Sequence, residues 1–262
     1  MFFMAKTVSI INQKGGVGKT TITFNLSKEL ASRQYKVLVI DNDPQSNLTS
    51  CFLEDPALLP MEANILYWYE DKLSQSKPLK ITEHLHLLGS NIHLSRIADK
   101  GIEVIYALKE VSELIKQNYD FIIIDCLPSF GYLNLASLNG SDLVLVPTKP
   151  APFAIAGLQD LFESVEKAQR RMNPNLQIMG IVLNLVEGKN TNLARDIEKV
   201  LRSNYNDQVF NTILQKGVKF EESPALNLSV SEYDPTSKSS EQFVKFTDEF
   251  LERISLWADS KK

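Results

Sequence analysis

Short uninterrupted apolar runs alternate along the chain with longer stretches in which apolar residues recur every three or four positions. The runs "TVSIIN" (7–12), "VLVID" (37–41), "FIIID" (121–125), "LVLVP" (143–147) and "IMGIVLNL" (178–185) predict buried strands, because a sheet covered on both faces has no solvent side to alternate with. "HLHLL" (84–88) does alternate and predicts a further strand. Helical spacing predicts helices over 19–33, 102–117, 154–172, 192–204 and 241–257. Strand and helix taking turns indicates βαβ units. The expectation is therefore one α/β domain over 1–262: a doubly wound, mainly parallel sheet with helices on both faces. The stretch 54–78 follows neither period and predicts loops or short helices.

Composition narrows the class without deciding it. The 262 residues, 44% hydrophobic and 23% charged, are ordinary for a soluble globular chain, and no apolar stretch reaches the length needed to span a bilayer. The opening "MFFMAK" is too short for a secretory signal before the charged loop begins. Cys51 and Cys126 lie far apart with no metal-ligand spacing, which suits a reducing cytoplasm. A net charge of −4 argues against a surface uniformly basic for nucleic acid, yet leaves a local basic patch open.

The chemistry concentrates after the first run, where "NQKGGVGKTT" (12–21) opens the first predicted helix. Gly15, Gly16 and Gly18 let the backbone turn several N–H groups inward, and the helix N-terminus adds positive potential there. Lys19 can reach the β- and γ-phosphates of a nucleotide, and the Thr20 hydroxyl suits a Mg²⁺ ligand. The usual G-x-x-x-x-G-K-[ST] loop requires glycine where this chain has Gln13, and Lys14 follows as an added cation. The alternative, a glycine-rich turn with an incidental lysine, leaves the succession of strand, loop and helix unexplained.

With Lys14, the loop resembles the deviant Walker A motif, K-G-G-x-G-K-[ST], of the ParA/MinD family of ATPases, in particular its small Soj-like ParA members. The resemblance implies a P-loop NTPase fold with ATP and Mg²⁺ as ligands. It places ATP on Lys14, Gly15, Gly16, Val17, Gly18, Lys19, Thr20 and Thr21, and it implies an ATP-dependent homodimer in which Lys14 reaches the nucleotide of the other subunit. "VLVIDNDPQSNLTS" (37–50) resembles the family's D-x-D-P-Q-[GS]-N segment, which implies that Asp43 orients the attacking water and helps arrange the metal, with Asp41 in support. "YDFIIIDCLPSFG" (119–131) resembles the Walker B region, implying that Asp125 holds Mg²⁺ through its water shell; Leu127 stands where the family's D-x-P-P has its first proline. "GIVLNLVEGKNTNLARDIEKVL" (180–201) resembles the base-contacting strand and the helix after it, placing Asn184 at adenine or else as a strand-end cap. The stretch 211–243 matches the family's I-P-R-[ND] region loosely, with Gln215 and Lys216 in place of proline and arginine. Cys51 and Cys126 do not match the cluster-binding cysteines of the related nitrogenase iron protein, so Cys126 reads as a small buried hydrophobe. Slow hydrolysis through Lys14, Lys19 and Asp43, stimulated by a ParB-type partner, completes the expectation.

Small ParA proteins bind DNA without sequence preference when dimerised by ATP. The first predicted strand opens at Thr7, so no helix-turn-helix domain is expected before it, and any DNA contact falls to the ATPase surface. Between 186 and 219, Lys189, Arg195, Lys199, Arg202, Lys216 and Lys219 outnumber Glu187, Asp196, Glu198 and Asp207. Arg195, Lys199 and Arg202 share one helix face. Lys189 and Lys219 stand where small ParA proteins carry DNA-contacting residues. The competing reading is a solvated face whose cations pair with Asp196 and Glu198. A MinD-like membrane helix is disfavoured: "EQFVKFTDEFLERISLWADSKK" (241–262) carries Glu241, Asp248, Glu249 and Glu252, which anionic lipid repels. Its stripe of Phe243, Phe246, Phe250, Ile254 and Trp257 is expected to pack on the sheet. The resulting expectation is a cytoplasmic, nucleoid-associated ATPase that partitions a plasmid or chromosome. The alternatives are a cargo-positioning ATPase for a protein assembly and a MinD-like membrane regulator.

Overall fold

Each apolar run forms a strand whose alternate residues enter different layers. Leu38, Ile40, Ile122 and Ile124 join one core, while Val37, Val39, Phe121 and Ile123 join the other, so a sheet sandwiched by helices accounts for the lack of alternation in hydrophobicity. The computed structural model describes residues 5–129, 131–151, 153–187 and 192–259. Its strands are β1 (Lys6–Ile10), β2 (Val37–Asn42), β3 (Leu79–Lys80), β4 (Leu85–Leu88), β5 (Phe121–Cys126), β6 (Leu143–Thr148) and β7 (Gln177–Leu183). The helices are α1 (Lys19–Ser32), α2 (Asn47–Phe52), α3 (Leu66–Tyr69), α4 (Ser95–Ala98), α5 (Val104–Ile115), α6 (Tyr132–Gly140), α7 (Ala154–Arg171), α8 (Asn192–Tyr205), α9 (Lys219–Glu222), α10 (Val230–Tyr233) and α11 (Lys238–Asp259).

The seven strands are ordered β3-β4-β2-β5-β1-β6-β7, all parallel except the β3–β4 pair at one edge. Helices α5, α6 and α7 contribute Leu108, Leu133, Leu158 and Val165 to one face. Helices α1 and α11 supply Phe24, Leu26, Phe243, Phe246 and Phe250 to the other. The apolar stripe of α11 therefore faces the core, with Phe243, Phe246 and Phe250 at most 1% exposed, as its acidic outer face led one to expect. Among the described residues, no helix is long and apolar enough to cross a membrane.

β3, α2, α4, α6, α9 and α10 escaped the periodicity reading, all but α6 because they are too short to show a period. β3 has two residues, and α2 has six. Helix α6 is buried on nearly every side, including Asn134, Ser137 and Asn139, so it has no polar face to set a 3.6-residue rhythm. The irregular stretch after α2 does consist of loops, short 3₁₀ turns and α3.

Candidate active site

The glycine-rich loop leaves the C-terminal end of β1, the edge at which open parallel sheets bind ligands. Asn12 shapes it from below: its side-chain oxygen accepts from the Lys14 N–H at 2.9 Å, and its amide donates to the Pro147 carbonyl at 2.7 Å. Gly16 and Gly18 take φ of 70° and 85°, the left-handed region that only glycine occupies without strain. Helix α1 then starts at Lys19 with no side-chain cap and no acid in its first turn. Its first N–H groups, at Lys19, Thr20 and Thr21, are donors left for a ligand.

Asn184 braces the loop from the end of β7. Its amide donates to the Val17 carbonyl at 2.8 Å, and a Cβ on Gly18 would collide with that amide. The residue expected at the base thus also fixes the loop. It lines a cavity of about 230 Å³ together with Gly16, Thr21, Leu185, Leu214 and Phe220. Gln215 and Lys216, the departures noted in the sequence, sit beside this wall, and Lys216 is exposed.

Strand order brings the carboxylates to the loop. β5 lies between β2 and β1, in a register that sets Asp41 directly beside Asp125, and Asp125 beside Ile10. Asp125 accepts from the Thr20 hydroxyl at 2.7 Å and from Thr23 at 3.1 Å. Asp41 accepts from the Thr49 N–H at 2.8 Å and its hydroxyl at 2.7 Å, and from the Asp43 N–H at 3.2 Å. Burial, reinforced by the charge of Asp41, pushes the Asp125 carboxyl up to about 8. Burial likewise raises Asp41 to about 6, against the hydrogen bonds from Thr49. Asp43, 9% exposed, accepts from the Gln45 N–H at 2.9 Å across the turn before α2. Lys19 is buried, with its ammonium folded back to the Lys14 carbonyl at 3.4 Å; desolvation lowers its pKa against the pull of Asp125. Lys14 itself is exposed, although its N–H and carbonyl both bond within the loop.

After β5 the chain is held by Asn134, whose amide donates to the carbonyls of Leu127 and Ser129. That contact fixes the turn even though Leu127 replaces a proline. Cys126 is buried, as its reading as a small hydrophobe requires. Asn12, Thr23, Thr49 and Asn134 were not legible as site residues; only the position of Thr23, one turn beyond Thr20 on the same helix, hinted at a shared partner. Among the described residues, no cluster of three His, Cys, Asp or Glu side chains forms a metal cage. A larger cavity of about 690 Å³ lies elsewhere, by Arg202, Asp207 and Arg253. There Arg253 donates to the carbonyls of Met179, Asp207 and Val209, so it acts as a structural clamp.

The basic segment is organised more loosely. Lys189 lies outside the described residues. Arg195 is exposed on α8, while Lys199 pairs with Asp196 at 3.9 Å and Arg202 with Glu198 at 2.9 Å, so the salt-bridged reading holds for these two. Lys219 stands between Glu222 at 3.4 Å and Asp234 at 3.8 Å, with its ammonium over the Tyr233 ring.

Comparison with known proteins agrees with this arrangement. The family described as AAA domain matches residues 5–178. The sporulation initiation inhibitor protein Soj of Bacillus subtilis is 34% identical over 94% of this chain and 98% of its own. The chain belongs to the ParA/Soj family of P-loop partition ATPases. A second member, the chromosome-partitioning ATPase Soj of Treponema pallidum, is 34% identical over 95% of this chain and 98% of its own. Outside partition proteins, the family's fold recurs in cobyrinic acid a,c-diamide synthase from Mycobacterium smegmatis, solved with an ATP analogue and magnesium. It is 26% identical, with a TM-score of 0.79, over 96% of both chains.

Proposed function

We propose that this chain is an ATP-switched partition protein: two copies close over a pair of Mg·ATP molecules, hold DNA without sequence preference, and release it when hydrolysis opens the dimer. The observation that carries this reading is Lys14. An exposed ammonium beside a phosphate-binding loop, whose own backbone groups are already bonded inside that loop, is placed to serve a ligand outside its own subunit.

The site suits a triphosphate with a divalent ion. The left-handed glycines and the uncapped start of α1 offer N–H donors to phosphate, and Lys19 adds a cation from within. Thr20 and Asp125, already bonded to each other, would hold Mg²⁺, with Asp43 helping to arrange it. The ion's charge stabilises phosphate oxygens and offsets two carboxyls that burial makes costly to ionise. The chain's own residues do the rest. Lys19 holds the phosphates, Asn184 keeps the loop in shape while lining the base cavity, and Asp43 orients the attacking water.

A closed dimer doubles the basic segment, and each phosphate it neutralises steepens the salt dependence of binding. Lys189, Arg195, Lys199, Arg202, Lys216 and Lys219 form the proposed DNA face. Exposed pairs such as Lys199–Asp196 are weak enough to exchange partners for a phosphate. A ParB-type partner would accelerate hydrolysis and so release the DNA, in a cytoplasmic cycle run on the nucleoid.

Sedimentation with ATP or ADP, with and without nonspecific DNA, tests the reading. Dimers should form with ATP alone, and DNA should join only those. Lys14→Ala should retain ATP binding and lose dimerisation; a variant that dimerised normally would remove the lysine from this role.

A further inference from the structure

A further cavity, about 320 Å³, opens between the segments 59–72 and 91–100 and is lined by Leu59, Met61, Tyr67, Arg96, Ile97 and Lys100 among others. Its floor is apolar, since Ile97 is fully buried beneath it. Met61, among the lining residues, is an exposed apolar side chain, 74% exposed. Among the lining residues the one acid, Glu70, is outnumbered by Lys72, Arg96 and Lys100, inside a chain whose net charge is −4. Lys72 donates to Glu70 at 2.7 Å; that bond, with the fields of Lys100 and Arg96, holds the Glu70 carboxyl below its usual range. An internal carboxylate thus marks the chemistry this rim prefers.

The groove is bonded to the carboxylate segment of the active site along two routes. Tyr69, on α3 with Tyr67, donates from its buried hydroxyl to the Asn42 side chain at 3.0 Å, one residue from Asp41 and Asp43. On the other wall, Asn91 follows Ser90, whose N–H donates to Thr49 Oγ1 at 3.0 Å, and Thr49 in turn donates to Asp41. Gly89 and Asn64 bridge the two walls.

We infer that this groove is a regulatory docking site for an acidic, amphipathic peptide segment of a partner protein, with apolar side chains on the floor and carboxylates against Arg96, Lys100 and Lys72. The apolar lining favours a peptide over nucleic acid, because a phosphate backbone gains nothing from Leu59, Met61 and Ile97, whereas apolar side chains of a peptide do. Docking would bias the Asp41–Asp43 segment through Tyr69 and Thr49. Docking stands independently of the proposed function; its effect on hydrolysis rests on that reading.

Fluorescence anisotropy without nucleotide tests the docking, using three dyes-on-ligand probes: a peptide of Glu, Asp, Leu and Phe, its Lys-containing counterpart, and a single-stranded oligonucleotide. The acidic peptide should bind saturably, and Arg96→Glu with Lys100→Glu should weaken it by about tenfold or more. Failure of the acidic peptide to bind, binding that the double variant leaves unchanged, or binding of the basic peptide or oligonucleotide lost in that variant would each overturn the proposal. Phosphate release tests the coupling: the acidic peptide should change ATP turnover about fivefold or more, and Tyr69→Phe should remove that response while leaving peptide binding intact. Peptide bound with turnover unchanged overturns the coupling alone. A chain that binds peptide and hydrolyses no ATP overturns the nucleotide reading instead.

Discussion

At the glycine-rich loop, titratable side chains are buried and each is tied to a named partner: Asp125 to Thr20 and Thr23, Asp41 to Thr49, Lys19 to a loop carbonyl. Along α8 and α9, Lys199 and Lys219 meet their carboxylates in loose pairs, at 3.9 Å and at 3.4 and 3.8 Å, while Arg202 is held more closely by Glu198 at 2.9 Å. The same side-chain types therefore do different work. Where water is excluded, a charge has one permitted geometry and a high cost if that is lost; where water is present, pairs exchange at little cost. The first arrangement suits chemistry at fixed atoms, and the second suits a DNA backbone read without sequence.

The contrast can be tested from its stronger side to its weaker. Lys19→Ala should lower ATP turnover by about 10²–10³-fold, read as phosphate release, since it removes a cation from a buried site. Lys189→Glu combined with Lys219→Glu should weaken DNA retention by about tenfold or more at low salt and flatten its salt dependence, with ATP affinity unchanged. Unchanged retention would move the DNA face elsewhere.

The raised carboxyls give a pH test of the buried site. Above about pH 5, the nucleotide-free folded chain keeps on Asp41, up to about pH 6, and on Asp125, up to about pH 8, a proton that the unfolded chain has released. Stability is therefore greatest at the acid end of that window and declines as pH rises through about 6 and then about 8. Thermal melts should show this slope, and Asp125→Asn should flatten its upper half; a stability that climbs across the window would contradict the buried pair. The smallest effect belongs to the surface. Asp196→Ala, which breaks the Lys199 pair, should change stability by less than about 0.5 kcal/mol in denaturant titration.

The strands, the long helices and the loop were legible because they are local. An uninterrupted apolar run, a 3.6-residue rhythm and three closely spaced glycines act through neighbours in the chain. Asn12, Thr23 and Tyr69 were not, because their partners are distant: Pro147 is 135 residues from Asn12, Asp125 is 102 from Thr23, and Asn42 is 27 from Tyr69. Arg202 shows the limit from the other direction. Its spacing placed it on a face with Arg195 and Lys199, but its bond to Glu198 on the same helix decides how free it is.

The sequence by itself determined the order of the main strands and long helices, the glycine-rich loop between the first strand and the first helix, and family membership. Only the tertiary structure decided that Asp41 and Asp125 lie side by side on adjacent strands, that Asn184 braces Val17, and that the elements walling an apolar groove with basic residues reach Asn42 through Tyr69 and Asp41 through Ser90 and Thr49. The reason is that backbone preference depends on residues adjacent in the chain. Desolvation, charge coupling and hydrogen-bond partnership depend on whatever the fold packs together, and here that comes from segments far apart in sequence.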